Sequence, residues 1–579
     1  MPTILPTTTN LPPERDAADR QARTVALAVI GIAAGAGGPA VGYESAGHTV
    51  ILGPEDRIRR LAAALADSVP LCAIVTQALP EQITAEIEAA AALAPDLTLL
   101  QLPAATVAGH LGHFRISAEV GGTHRDIARL AFAREFCDIV VDLNDVPRIG
   151  HELPPPGYLH AAPAFDPDRV AAAVRALVGA FEKPRYVRLD PQLCAHSANG
   201  KIGCTRCLDA CPADAIRSVD GAIALDSHLC HGAGGCASAC PTGAIRYDCP
   251  EPEVLQARVE RLLAAYLGAG GSAPRLLLHD AEAGARWIEA EGQALAGHWL
   301  PLQIEEIGAA GLDTWLQALA RGAVEVVLLA PRLTDAVRSA LGRELAVAEH
   351  ILKAVGGDRH VALVEDPDQL AARPTPTVRA MKPLAAHAGS SDKRALISAA
   401  TAHLYHNSGL PVGDLAVPLP AGATFGTVDI DAAGCTLCNT CVSTCPVKAL
   451  GAGRERPLLS FIEDRCVQCG LCVQTCPERV LSLAARYQLD PEVRTRPRTL
   501  KEEAPFECIR CGKPFATRSM IRTMQQRLAG HHMFAGEAAR RLEMCADCRV
   551  IDIAMNEEDA GLVGLGEAVA PPRRPGSRQ

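Results

Sequence analysis

The residues with the strongest chemical signature are cysteines at repeated intervals. Cys435, Cys438, Cys441 and Cys445-Pro446 form C-x2-C-x2-C-x3-C-P, and Cys466, Cys469, Cys472 and Cys476-Pro477 form it again. Three thiolates so closely spaced wrap one iron–sulfur cube corner by corner, while the fourth, beside proline, reaches the neighbouring cube. The spacing therefore predicts two [4Fe-4S] clusters. One takes Cys435, Cys438, Cys441 and Cys476, and the other takes Cys466, Cys469, Cys472 and Cys445. Zinc also uses C-x2-C pairs, but it does not account for a 2-2-3 spacing repeated twice, each time closed by Cys-Pro.

A second copy of the plan departs from it twice. Cys204, Cys207 and Cys211-Pro212 keep the intervals, but the first cysteine is displaced to Cys194 by the insert AHSANGKIG. Cys230, Cys236 and Cys240-Pro241 form the other half, with Ala233 where a cysteine should stand. Cys194, Cys204, Cys207 and Cys240 make a full ligand set for a [4Fe-4S] cluster. Cys211, Cys230 and Cys236 make only three, which suits a [3Fe-4S] cluster or a [4Fe-4S] cluster with a non-cysteine ligand. His231, His228 and Cys249 are the nearest candidates for that ligand. The bland alternative is a decayed, empty site; the retained Cys-Pro and C-x3-C argue against it. The pairs Ala449-Leu450, Val480-Leu481, Ala215-Ile216 and Ala244-Ile245 follow each Cys-Pro and are expected to start the covering helices.

Near the C-terminus, Cys508-x2-Cys511 and Cys545-x2-Cys548 flank a helical stretch and read as a four-cysteine zinc site, with a fifth cluster as the rival. The adjacent His531 and His532 read as plain surface residues, and Cys72 and Cys137, in apolar runs, as core.

The elements that must carry these motifs follow from hydropathy. Of 579 residues 48% are apolar, enough for several cores and too many for wholesale disorder. Strands are expected at Val25–Ile32, Thr49–Leu52, Cys72–Val75, Leu97–Leu102 and Asp138–Leu143, and helices at Asp56–Ala66, Glu81–Ala92 and Asp126–Phe132. That alternation predicts a parallel sheet covered by helices. A second such segment has strands at Leu276–His279, Val324–Leu329 and His360–Val364 and a long helix at Thr334–Lys353. The expected fold class is α/β plus α+β: two parallel-sheet α/β segments alternating with two ferredoxin-like two-cluster modules and a small C-terminal four-cysteine unit. The boundaries read as a flexible tail at 1–20, α/β at 21–150, a linker at 151–186 and the first module at 187–250. They continue as α/β at 251–385, a linker at 386–427, the second module at 428–482, the four-cysteine unit at 483–560 and a tail at 561–579.

Charge and compartment narrow the function classes. The formal charge of -10 disfavours a nucleic-acid binder, and Arg573/Arg574 read as a solvated tail. The 22 cysteines, mostly in C-x-x-C spacing, favour metal-bound thiolates in a reducing, cytoplasmic setting over disulfides. Val25–Val41 could mimic a signal peptide or a membrane span, but reads as a buried strand with a Gly-rich turn. No transmembrane anchor is expected, which leaves room for peripheral membrane contact. Gly35-Ala-Gly37-Gly38-Pro-Ala approaches a dinucleotide fingerprint, but Ala40 replaces its last glycine and no acidic ribose ligand follows at the right distance.

The stretches CAHSANGKIGCTRCLDACPADAI and CHGAGGCASACPTGAI, between Pro154 and Tyr247, together with ECIRCGKPFATRSM and MCADCRV, resemble a family of large bacterial 4Fe-4S ferredoxin-domain proteins. The resemblance implies two dicluster modules joined to α/β segments, and a redox partner such as formate dehydrogenase or a similar complex. Three functions stay open. The first is an electron carrier between a dehydrogenase or reductase and a low-potential acceptor. The second is an iron–sulfur oxidoreductase, with or without flavin, that has its own substrate site. The third is an iron–sulfur sensor or assembly factor.

Overall fold

The computed structural model describes residues 13–31, 38–65, 68–76, 94, 97–102, 105–120, 123–370, 373–374, 381–385, 392–411 and 413–556. The chain forms two compact units, Met1–Cys194 with Thr205–Pro411, and Ala195–Cys204 with Val412–Gln579.

In the first unit, short β-branched and leucine-rich runs build a parallel sheet. Its order is Leu99–Gln101, Leu71–Val75, Thr49–Gly53, Ile139–Asp142, Tyr158–His160. Successive side chains alternate faces. Ile51, Ala73 and Val141 meet Ile58, Leu61, Val170 and Val174 of the helices Glu55–Leu65 and Pro167–Ala176. Val50, Ile74 and Val140 meet Phe114, Ile116 and Ile127 on the other side. These last belong to an antiparallel sheet, Thr106–Ala108, Arg115–Val120 and Thr123–Asp126, and to the helix Ile127–Phe132. Asp126 caps that helix by accepting from the amides of Ala128 and Arg129.

A second parallel sheet has the order Trp299–Gln303, Arg275–His279, Glu325–Leu329, His360–Val364. The helices Pro252–Gly268, Leu312–Ala320 and Asp335–Ala354 accompany it.

Several expectations are corrected. The described part of the expected strand Val25–Ile32 is helical up to Ile30, and residues 13–20 are not tail: Pro13–Ile30 is one helix. Read only from Val25, the segment looks uniformly apolar. Read from Pro13, it carries Asp16, Asp19, Ala22, Arg23 and Ala26 on one face. Asp16 accepts from the amide of Gly297 at 2.6 Å, Asp19 from that of Ser272 at 2.8 Å, and Arg23 donates to the carbonyl of Ala296 at 3.1 Å. The helix thus belongs to the second α/β segment, far along the chain. The stretch 151–186 supplies the fifth sheet strand and a core helix, so it is not a linker. The same holds for 386–427, where the helix Lys393–Asn407 buries Leu396, Ile397, Ala400 and Leu404. The antiparallel sheet at 106–126 was not expected. Gly35 and Gly37, and the helix expected at Glu81–Ala92, lie outside the described residues. Ala40 opens a strand, Ala40–Ser45, that pairs antiparallel with Gly179–Pro184. Among the described residues no helix is long and apolar enough to cross a membrane.

Candidate metal centres

Each half-motif is built alike: a cysteine loop, one helical turn, Cys-Pro, then a strand. In the second unit the helix Thr440–Thr444 carries Cys441 and stops at Cys445; Leu471–Thr475 carries Cys472 and stops at Cys476. Proline bars helical geometry from the residue before it, and Cys445 and Cys476 accordingly take extended ψ values of 107° and 114°. The expected helices after Cys-Pro are therefore strands. Leu450–Ala452 and Leu481–Gln488 follow in the second unit, Ile216–Val219 and Ile245–Tyr247 in the first.

This scaffold brings cysteines from opposite halves together. Burial, then the charges of Cys438, Cys435 and Cys476, pushes Cys441 up to about 12. Burial, then Cys466, Cys469 and Cys445, does the same to Cys472. Cys476 thus stands with Cys435–Cys441, and Cys445 stands with Cys466–Cys472. Amides of Leu437 and Ala449 donate to the sulfurs of Cys435 and Cys445 at 3.4 and 3.3 Å, and the Gln468 side chain donates to Cys466 at 3.3 Å. Buried thiols pushed upward hold protons unless a cationic centre displaces them, so this donor set fits a metal cluster with hydrogen bonds to its sulfurs.

In the first unit the helix Gly235–Ala239 carries Cys236 and stops at Cys240. Burial, then the charges of Cys230, Cys211, Cys207 and Cys240, pushes Cys236 well up. Amides of Ala215 and Ile245 donate to the sulfurs of Cys211 and Cys240 at 3.3 and 3.5 Å. The insert follows a different course. Its hairpin, Ser197–Ala198 with Lys201–Ile202, lies in the second unit, where Asn199 donates to the Thr444 hydroxyl at 2.7 Å and Gln474 to the Ile202 carbonyl at 2.9 Å. Cys204, also in that unit, is among the charges that act on Cys469.

Three lysines went unnoticed in the sequence. Lys183 donates to the carbonyls of His228 and Cys230 at 2.7 Å each, Lys393 to those of Ala237, Ser238 and Cys240 at 2.9, 2.6 and 3.0 Å, and Lys501 to that of Cys435. Each places an ammonium beside a cysteine loop, a charge that favours an electron-rich centre. Lys183 and Lys393 lie in stretches that read as linkers, so no motif pointed to them.

The incomplete half is held by close backbone approach. Gly234 has φ +77°, and a Cβ there would run into the backbone nitrogen of Ala309. Gly234→Ala is expected to empty the Cys211/Cys230/Cys236 site, with loss of about three or four irons per chain, while the Cys435–Cys476 signals persist. Iron analysis with electron paramagnetic resonance checks this.

Residues 434–481 match a family described as 4Fe-4S dicluster domain, and residues 186–241 match a second family of the same description. This chain is an iron–sulfur protein with two 4Fe-4S dicluster domains. Over 62 residues it is 40% identical to formate hydrogenlyase subunit 2 of Escherichia coli K12 and of Shigella flexneri. That stretch is 11% of the chain and covers only 28% of the length of those relatives.

The iron–sulfur protein has a further cysteine group of another shape. The ligand atoms of Cys508, Cys511, Cys545 and Cys548 all lie within 4.8 Å of one another, with Cys511 and Cys545 sulfurs 3.8 Å apart. Four thiolates around one tetrahedral ion at the zinc–sulfur distance stand about 3.8 Å apart. It is the one group of three or more ligating side chains this tight among the described residues; the other cysteines are spread more widely, as a cube requires. Burial raises Cys508, but amides of Cys545, Cys511 and Arg510 outweigh it and bring it down to about 6. His531 and His532 stack on each other, exposed, outside this group.

Proposed function

We propose that this iron–sulfur protein relays single electrons between a dehydrogenase or reductase and a low-potential carrier in the cytoplasm. The ligand sets are Cys435/Cys438/Cys441/Cys476, Cys466/Cys469/Cys472/Cys445 and Cys194/Cys204/Cys207/Cys240, with Cys211/Cys230/Cys236 at a fourth site. Bound clusters supply one-electron exchange; the chain's part is to space them, bury them and set their potentials. The observation that carries the reading is that each motif gathers buried and half-buried cysteines whose sulfurs accept backbone amide hydrogen bonds, Cys435 and Cys445 in one and Cys211 and Cys240 in the other. The likeness to formate hydrogenlyase subunit 2 supports a partner complex that handles formate. The Cys508–Cys548 group takes one zinc ion and pins the C-terminal unit.

The test is iron, sulfide and zinc per chain on anaerobically purified protein. About fifteen or sixteen irons and about one zinc are expected. About eight irons would confine the clusters to Cys435–Cys476 and end the relay reading.

One observation favours a second reading, an oxidoreductase with its own substrate. A cavity is lined by Tyr247, Cys249, Glu305, Glu306 and Lys393, and by Ala237 between two cluster cysteines. The Tyr247 hydroxyl has no hydrogen-bond partner among the described residues. Burial, then the charges of Asp280, Glu305 and Glu282, pushes Glu306 up to about 7. Such a group can exchange a proton near neutrality. A substrate turned over by the chain alone would support this reading over a pure relay.

A further inference from the structure

The incomplete half-motif opens on a small cavity. Its walls are glycine, alanine, proline, valine, isoleucine and leucine, apart from four residues. Among the described residues lining it, the side chains that carry a metal-binding atom are Cys211, Cys230, Cys236 and His231. Four ligands is the number a cube takes.

We infer that His231 is the fourth ligand of this site, binding the iron that Ala233 leaves without a thiolate, through its Nδ1 atom. The hydrogen bonding assigns the atom. His231 Nε2 lies 2.9 Å from the carbonyl oxygen of Pro154. A carbonyl only accepts, so Nε2 carries the proton, and the neutral ring keeps its lone pair on Nδ1. A ligating histidine ordinarily has this second contact, which fixes tautomer and ring plane.

The two rivals are placed elsewhere. The His228 ring stacks on His110 with centroids 4.4 Å apart, and its Nδ1 faces Asp226 at 3.7 Å. Cys249 lines the other cavity, with Glu305 and Glu306. Neither borders the space between Cys211, Cys230 and Cys236. The motif intervals concealed His231 because it directly follows Cys230, where the ferredoxin pattern has no ligand.

A neutral imidazole in place of a thiolate removes one negative charge from the centre and raises its potential, as histidine ligation does in other iron–sulfur centres. This centre would then be the easiest of the four to reduce, an electron sink within the relay.

The inference rests on the proposal that the first module binds clusters, and the experiment separates the two. On anaerobically purified full-length protein, wild type should contain about sixteen irons and show no [3Fe-4S] signal when oxidised. Reduced samples should show a nitrogen hyperfine coupling by pulsed electron paramagnetic resonance. His231→Ala should lose about one iron per chain, lose that coupling and gain the [3Fe-4S] signal. His231→Cys should keep the full iron content, lack the coupling and titrate at a lower potential. A [3Fe-4S] signal in wild type, or a cube without the nitrogen coupling, overturns the role of His231 and leaves the relay standing. Iron confined to Cys435–Cys476 would instead overturn the relay and this inference with it.

Discussion

Cys445→Ser and Cys472→Ser, in opposite halves of the second motif, are expected to remove the same cluster. Each single variant should lose about four irons per chain, and the double variant should lose no more than that. Cys445→Ser combined with Cys441→Ser, neighbours on one helical turn, should lose about eight. The contrast follows from the crossed grouping. Cys445 lies among the charges acting on Cys472, whereas Cys476 lies among those acting on Cys441. Variants that share a centre act as a unit, and variants of separate centres add. Iron and sulfide analysis decides the matter. If Cys445→Ser with Cys441→Ser cost only one cluster, each half would ligate its own cube and the crossed sets would be wrong.

The second large effect concerns stability of the first unit. Glu325→Ala should destabilise it by about 3–5 kcal/mol, because it leaves a buried guanidinium without its counter-ion. Strand register sets Glu325 directly beside Arg275 and Arg275 beside Trp299. Arg275 and Glu325 are 1% and 2% exposed. Arg275 Nε donates to Glu325 at 2.7 Å, its guanidinium lies 3.9 Å over the Trp299 ring, and Arg373 Nε donates to the other carboxylate oxygen at 3.1 Å. Paired Arg275→Met and Glu325→Leu substitutions should recover most of the loss, since apolar residues of similar volume need no partner. Urea unfolding followed by tryptophan fluorescence measures both. An unfolding midpoint in Glu325→Ala equal to wild type would mean that Arg275 finds another acceptor.

What could be read from the chain alone was the chemistry bound to short intervals. Cysteines two and three residues apart name their metal group because ligand reach is a matter of a few bonds. Cys-Pro closes the helical turn of each half-motif, although the sequence reading placed the helix on the wrong side of it. The parallel strands Thr49–Gly53, Arg275–His279 and Glu325–Leu329 were legible because buried runs of β-branched and leucine residues have few other uses. Segments whose partners lie far along the chain were not. Within the helix Pro13–Ile30, the part from Val25 looked like a strand and the part up to residue 20 like a tail, until contacts with Ser272 and Ala296 supplied a reason for the polar face. The stretches holding Lys183 and Lys393 looked like linkers because an ammonium clamping a distant carbonyl leaves no pattern in its own neighbourhood. His231 is the sharpest case. Sequence could place it near the incomplete site, but only the folded chain shows its Nε2 bound to Pro154 and its ring in a cavity with no other side-chain donor beyond three thiols. Local spacing fixes which atoms can bind a metal; burial and hydrogen bonds, which depend on contacts across the whole fold, decide which of them do.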